Sequence, residues 1–198
     1  RNGLLRFVPS MFHFKSGINS YIAESTNEIH YTAPNIYDRK MNQVTGTFQN
    51  MLREPDIFTD YFYVNIYNNT MLCDRLLSPF NTQNKSYYKY KVDDYVSGDS
   101  LIHVLIIPKW RNTQLVRGTS VIDPKKQQIL EFKFEGEYDM VRFKLKITMG
   151  KDGLNAYLPE RYEGDVFFNF AGNRITSNYL AQLDYTSIET GFQKENTR

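Results

Sequence analysis

From Gln128 to Met149 the chain alternates oily and charged residues with a period of two. Leu130, Phe132, Phe134 and Tyr138 fall on one side of the first stretch; Glu131, Lys133, Glu135 and Glu137 fall on the other. In the second stretch Val141, Phe143, Leu145, Ile147 and Met149 alternate with Arg142, Lys144, Lys146 and Thr148. Successive side chains of a strand point to opposite faces, whereas a helix would scatter this pattern around its circumference. Gln128–Tyr138 and Met140–Met149 therefore read as an antiparallel hairpin with one buried and one solvated face. Glu131, Lys133 and Glu135 are placed to pair across strands with Arg142, Lys144 and Lys146.

Further strands follow from the same reasoning. Ser100–Ile107 is apolar on both faces and reads as a central strand; Gln114–Ile122 ends at an Asp123-Pro124 turn. Val166–Phe170 and Ile175–Tyr185 flank Ala171-Gly172-Asn173-Arg174, a hairpin turn signal. Tyr61–Tyr67, Lys89–Val96, Ser25–Tyr31 and Gln43–Phe48 complete the set. Ile18–Glu24 and Ile36–Met41 suggest short helices, and Asn50–Asp60 and Ser78–Ser86 suggest loops. The expected fold is mainly β, an antiparallel meander forming a curved sheet or incomplete barrel with one to three short helices. Residues 1–190 read as one β-rich domain and 191–198 as a polar tail.

The 24 Lys and Arg nearly balance 22 Asp and Glu, which gives no electrostatic case for nucleic acid. The 15 Tyr and 14 Phe suit a half-buried sheet, and Tyr also suits contact surfaces because its hydroxyl keeps a wet partner. A single cysteine, Cys73, rules out an intrachain disulfide and a cysteine-cluster zinc site. No apolar run reaches the ~20 residues of a membrane-spanning helix. Beginning at Arg1, the chain reads as a fragment of a longer protein.

Motifs of catalysis are sparse. His13, His30 and His103 are isolated, with no metal-ligand partner at helical spacing, and His103 sits within an apolar strand as a core histidine would. Cys73 lacks the flanking signature of a nucleophile and reads as a structural thiol. No G-x-S-x-G elbow, phosphate loop or dinucleotide fingerprint occurs. Asp93-Asp94 and Asp152 fall in turns, and Gly150-Lys151-Asp152-Gly153 lacks the further acidic spacing of a calcium loop. Glu160, Glu163 and Asp165 are the one carboxylate group that glycoside cleavage would draw on. Asn68-Asn69-Thr70 and Asn84-Lys85-Ser86 match the glycosylation sequon, which carries meaning only in a eukaryotic secreted protein. No cofactor or metal is expected.

Seven short segments occur in a characteristic order: Leu4-Leu5-Arg6-Phe7-Val8-Pro9, Tyr21-Ile22-Ala23-Glu24-Ser25, Ile29-His30-Tyr31-Thr32-Ala33-Pro34, Leu77-Ser78-Pro79-Phe80, Tyr87-Tyr88-Lys89-Tyr90, Ile107-Pro108-Lys109 and Gly118-Thr119-Ser120-Val121-Ile122-Asp123. In that order they resemble a family of Gram-negative envelope proteins that join a carboxypeptidase-regulatory-like domain, a β-rich middle domain and a C-terminal outer-membrane barrel. The resemblance implies a location on the periplasmic side of the outer membrane. The strand rhythm around Ile107-Pro108-Lys109, Ile122-Asp123 and Ile129–Phe134 is also similar to periplasmic lipoprotein carriers, whose incomplete barrels wrap an apolar groove.

The resulting expectation is a non-catalytic periplasmic binding or interaction module of an outer-membrane protein. Its partner would be its own barrel, an envelope protein, a glycan or a lipid. Tyr61, Tyr63, Tyr67, Tyr87, Tyr88 and Tyr90 are the expected contact surface. The alternative is a carrier or sensor of a lipidic ligand, with Leu130, Phe132, Phe134, Val141, Phe143, Leu145 and Ile147 lining the groove; the same residues equally describe a filled core. A hydrolase of carbohydrate or ester is the third reading.

Overall fold

The computed structural model describes residues 20, 22–32, 36–47, 65–72, 74–92, 100–138, 141–170 and 173–189. The chain divides into two compact units, Arg1–Gln83 and Asn84–Arg198, so the domain expected at 1–190 spans both. The first unit opens with β1 (Ala23–Thr32) and β2 (Ile36–Gly46), which pair antiparallel and carry a bulge at Thr26/Asn27. The helices expected at Ile18–Glu24 and Ile36–Met41 do not form where the chain is described: Ala23 and Glu24 begin β1, and Ile36–Met41 lies wholly in β2. Cross-strand pairing of Tyr31 with Tyr37 and Ile29 with Arg39 overrides any local helical preference.

Next come the short strands β3 (Thr70–Met71) and β4 (Leu76–Leu77), joined by a turn in which Leu72 and Asp74 adopt left-handed backbone conformations. Met71, Leu72 and Leu76 are buried beside Ile66, whose carbonyl accepts from the buried Ser78 hydroxyl. The strand expected at Tyr61–Tyr67 is corrected at its described end. Asn65–Asn69 is a turn, because the Asn65 side-chain oxygen accepts the Tyr67 N–H at 3.0 Å and curls the backbone.

The second unit is a single antiparallel meander. Its strands are β5 (Tyr88–Val92), β6 (Ile102–Pro108), β7 (Arg117–Asp123), β8 (Gln128–Tyr138), β9 (Val141–Met149), β10 (Pro159–Phe170) and β11 (Asn173–Gln182). They lie in the sheet in chain order, with β5 and β11 as open edges. The Phe-rich hairpin is confirmed as β8 and β9, with Phe132 opposite Ile147 and Phe134 opposite Leu145. The Asp123-Pro124 turn is also present: the Asp123 carboxylate accepts the Lys125 and Lys126 N–H groups at 2.9 and 3.1 Å. Among the described residues the only helical turns are 3-10, at Thr82–Tyr87 and Gly153–Tyr157. Buried Gln128 holds the latter in place by donating to the carbonyls of Gly150 (2.6 Å) and Ala156 (3.2 Å).

One face of this sheet is a packed core. Phe132, Ile147 and Ile106 have no accessible surface, and Phe134, Phe143, Leu145 and Tyr162 keep 3% or less. Phe132 and Phe134 stack at 4.6 Å between ring centroids, and Phe143 meets Phe134 edge-on at 6.1 Å. The glycines of this face make room for those side chains. A Cβ on Gly136 would lie 2.6 Å from the Phe143 ring, and one on Gly164 would lie 2.6 Å from a Leu145 methyl. Large side chains lying across glycines of neighbouring strands let a sheet bend without opening a void. Leu130 occupies a bulge, since Val121 pairs with Glu131 and Ile122 with Ile129.

Candidate functional site

The opposite face of the meander carries the charges, and the register sorts them into rows. One row runs Leu105, Thr119, Lys133, Lys146, Glu163, Leu180 from β6 to β11. It sets Lys133 directly opposite Lys146, a repulsive arrangement. Glu131, two residues from Lys133 on β8, resolves it by bridging Lys133 at 2.9 Å and Lys146 at 3.1 Å. Lys146 also reaches Glu163 at 3.6 Å, and Arg161 reaches Glu163 at 3.2 Å. Partial burial alone would push the Glu131 carboxyl up; the hydrogen bonds and charges of Lys133 and Lys146 outweigh it and hold the group below its usual range. The hydrogen bond to Glu131 raises Lys146 above its ordinary value, against a smaller desolvation effect.

The next row runs Arg117, Glu135, Lys144, Asp165, Asn178. Its charges alternate in sign, the arrangement best suited to pairing, yet Arg117, Glu135 and Lys144 close no ion pair among the described residues. Asp165 accepts from Asn178 at 2.6 Å, and Glu137 and Arg142 beyond this row approach to 3.7 Å. One half of the charged face is thus a closed ion-pair network, and in the other half Arg117, Glu135 and Lys144 pair with none of the described residues.

Two clefts overlie this face, of about 830 Å³ and about 640 Å³. Both are lined by Arg117, Glu135, Lys144 and Asp165, so they adjoin along that row and are together termed the trough. The larger stretch runs up to the β6–β7 connection, where Lys109, Trp110, Arg111 and Asn112 form its wall. Trp110 is 57% exposed and meets Tyr87 edge-on at 5.9 Å, which fixes the indole in an aromatic corner at the trough's end. The Asn112 side chain accepts the Gln114 N–H at 2.8 Å and shapes the turn that carries this wall.

The residues expected from the sequence distribute unevenly over this picture. Phe132, Phe134, Phe143, Leu145 and Ile147 are enclosed side chains, and Leu130 and Val141 are half-buried. Phe143 also borders the larger cleft and Phe134 and Leu145 the smaller, but each of the five keeps 3% or less of its surface, so they pack as core side chains. Of the expected contact tyrosines, Tyr61 and Tyr63 lie outside the described residues. Tyr67, Tyr87 and Tyr90 are exposed at 37%, 39% and 40%. Tyr88 is corrected: it is 2% exposed, because residue 88 points to the core face where residue 87 does not. Its hydroxyl accepts the Val116 N–H at 3.3 Å, and burial pushes its pKa up to about 12. Trp110 and Arg117, by contrast, were not singled out from the sequence. A lone exposed Trp in a Lys-Trp-Arg-Asn turn was the available signal.

Among the candidates for chemistry, His13, Cys73, Asp93 and Asp94 lie outside the described residues. His103 is half-buried on β6 opposite Val121; His30 is exposed on β1, 3.9 Å from Glu28. Glu163 and Asp165 share the charged face of β10 but are engaged with Arg161, Lys146 and Asn178, while Asp152 is exposed and paired with Lys126 at 3.4 Å. Asn84 of the second sequon is buried. Among the described residues no three His, Cys, Asp or Glu side chains gather as a metal site would require, and no helix is long and apolar enough to cross a membrane.

Comparison with known proteins adds one finding. Residues 9–186 match the family described as "Family of unknown function (DUF5686)". No curated protein and no solved structure matches the chain.

Proposed function

This chain belongs to that family of unknown function, and we propose that it serves as a non-catalytic binding module of a Gram-negative envelope protein, with the charged trough as its contact surface. The observation that carries this reading is that Arg117, Glu135 and Lys144 close no ion pair among the described residues and line the same cleft as the exposed Trp110. In the neighbouring row, by contrast, Glu131 and Glu163 close Lys133 and Lys146 into a network. Charges left open beside an exposed indole suit a partner that supplies the missing contacts. The envelope location rests on the resemblance of segment order described above, and the periplasmic face of the outer membrane is its natural address. A lipid carrier is less well supported, because the side chains that would line its groove are enclosed.

Co-sedimentation with sonicated outer-membrane vesicles of a Gram-negative bacterium, opened so that the periplasmic face is exposed, tests the proposal. The wild-type chain should pellet with the vesicles, and a folded Arg117→Glu/Lys144→Glu double variant should bind about tenfold more weakly. Equal binding by the two proteins would remove the trough from the account; no binding by either would remove the envelope role.

A further inference from the structure

The trough carries more information than that it binds. Lys109, Arg111, Arg117 and Lys144 line it without closing an ion pair among the described residues, which favours negative charge in the ligand. Glu135, Glu137 and Asp165 line the same stretch. Against an anionic ligand with no hydroxyls to donate, such as an acidic peptide, these carboxylates are repulsive and uncompensated. A ligand rich in hydroxyls has no such difficulty: a hydroxyl donates to a carboxylate as readily as it accepts from a guanidinium or amide. The exposed Trp110 face adds an apolar platform of the size of one ring, set edge-on against Tyr87 so that it cannot fold away freely.

Three requirements follow: flat apolar faces to lie on an indole, hydroxyls that donate to carboxylates, and anionic groups that meet Arg and Lys. A further constraint is shape. The two clefts adjoin along Arg117, Glu135, Lys144 and Asp165 and neither is a closed chamber, which suits a chain laid across both better than a compact molecule held inside one.

We infer that the trough binds an acidic polysaccharide, with a sugar ring laid on Trp110 and uronate-type carboxylates held by Arg117 and Lys144. This deepens the binding-module reading and rests on it: the face is the same, and the ligand class is what is added. Glu135 and Glu137 then act as acceptors for sugar hydroxyls, and the closed Glu131–Lys146–Glu163 network keeps the adjacent part of the sheet rigid under the ligand.

The chain contains a single tryptophan, so indole fluorescence excited selectively reports this site alone. The probes are oligogalacturonate, neutral cello-oligosaccharide of equal length and polyglutamate of equal charge. Oligogalacturonate should shift or quench the Trp110 emission in a saturable titration that weakens steeply toward ~1 M salt, where charges are screened beyond about 3 Å. The neutral sugar and the peptide should each bind about tenfold more weakly or worse. Arg117→Ala/Lys144→Ala should lose about tenfold for oligogalacturonate while keeping the melting temperature to within ~2 °C. Trp110→Phe, followed by calorimetry, should retain more affinity than Trp110→Ala.

Polyglutamate binding as tightly as oligogalacturonate would overturn the saccharide assignment, as would absence of oligogalacturonate binding by both fluorescence and calorimetry. If vesicle binding still depends on Arg117 and Lys144 in that case, the binding-module reading survives and only the ligand class falls. Shortening of the oligosaccharide during the titration would instead overturn the non-catalytic reading.

Discussion

Along β8 and β9, side chains one residue apart live in opposite environments. Phe132 and Ile147 have no accessible surface, while Lys133 and Lys146, their immediate neighbours, stand on a face hollowed into a trough. Both faces are built by the same strands with the same register, so backbone pairing cannot account for the difference. Side-chain chemistry alone divides the work: the apolar face holds the sheet together through burial and ring packing, and the charged face carries the ion pairs and the clefts. The lesson extends within the charged face. Where register forces Lys133 against Lys146, Glu131 is recruited to neutralise them; where register already alternates Arg117, Glu135, Lys144 and Asp165, no ion pair forms among the described residues.

Substitutions ranked by expected cost give ways to break this division. Phe132→Ala should be the most damaging, by about 3–5 kcal/mol in chemical denaturation, because it removes a fully enclosed ring stacked on Phe134. Gly118→Ala should cost about 1–3 kcal/mol by overpacking, since its Cβ would meet the Lys133 carbonyl and the Phe134 Cβ, neither of which can swing aside. Comparable losses from substitutions on the charged face would erase the contrast.

Tyr88→Phe sharpens it through pH. The Tyr88 pKa is raised by burial from 10.0 to about 12, so its contribution to stability is complete below pH 10 and is lost as pH rises toward 12. The variant should lose about 1–3 kcal/mol near neutral pH, where the Val116 N–H is left without its acceptor, and should show a shallower alkaline decline. Glu131→Gln should act in the opposite pH direction and more weakly. Glu131 has a lowered pKa, so its stabilisation is present above the usual carboxylate value near 4.5 and fades as pH falls below it. A loss of about 1 kcal/mol at pH 7, vanishing in acid, is expected from thermal scans. Lys144→Ala should fall within ~0.5 kcal/mol of wild type, because Lys144 closes no ion pair among the described residues.

The fold was largely legible in the sequence because period-two alternation in Gln128–Met149 leaves only one face for Phe132, Phe134, Phe143 and Ile147 to share. The site was less so, and for a physical reason. Alternation names two faces without saying which is enclosed by packing and which is hollow, and attention goes to the oily one. Tyr88 shows the same blindness at one residue: Tyr87, Tyr88 and Tyr90 look alike in sequence, yet Tyr87 closes a 3-10 turn, Tyr88 is enclosed, and Tyr90, on the same strand face as Tyr88, stays 40% exposed. The open charges of Arg117 and Lys144 depend on ion-pair distances that no spacing rule supplies, and the turn at Asn65–Asn69 on a side-chain capture of Tyr67 N–H.

The central claim is that the apolar face of the meander is filled and the charged face is the open one. Methyl NMR in the presence of a soluble gadolinium chelate tests this without any ligand. Leu180, 65% exposed at the end of the Lys133–Lys146–Glu163 row, should be strongly broadened, while Ile106 and Ile147, with no accessible surface, should remain sharp. Broadening of Ile106 and Ile147 to the same degree as Leu180 would show a solvent-filled groove on the apolar side and contradict the account.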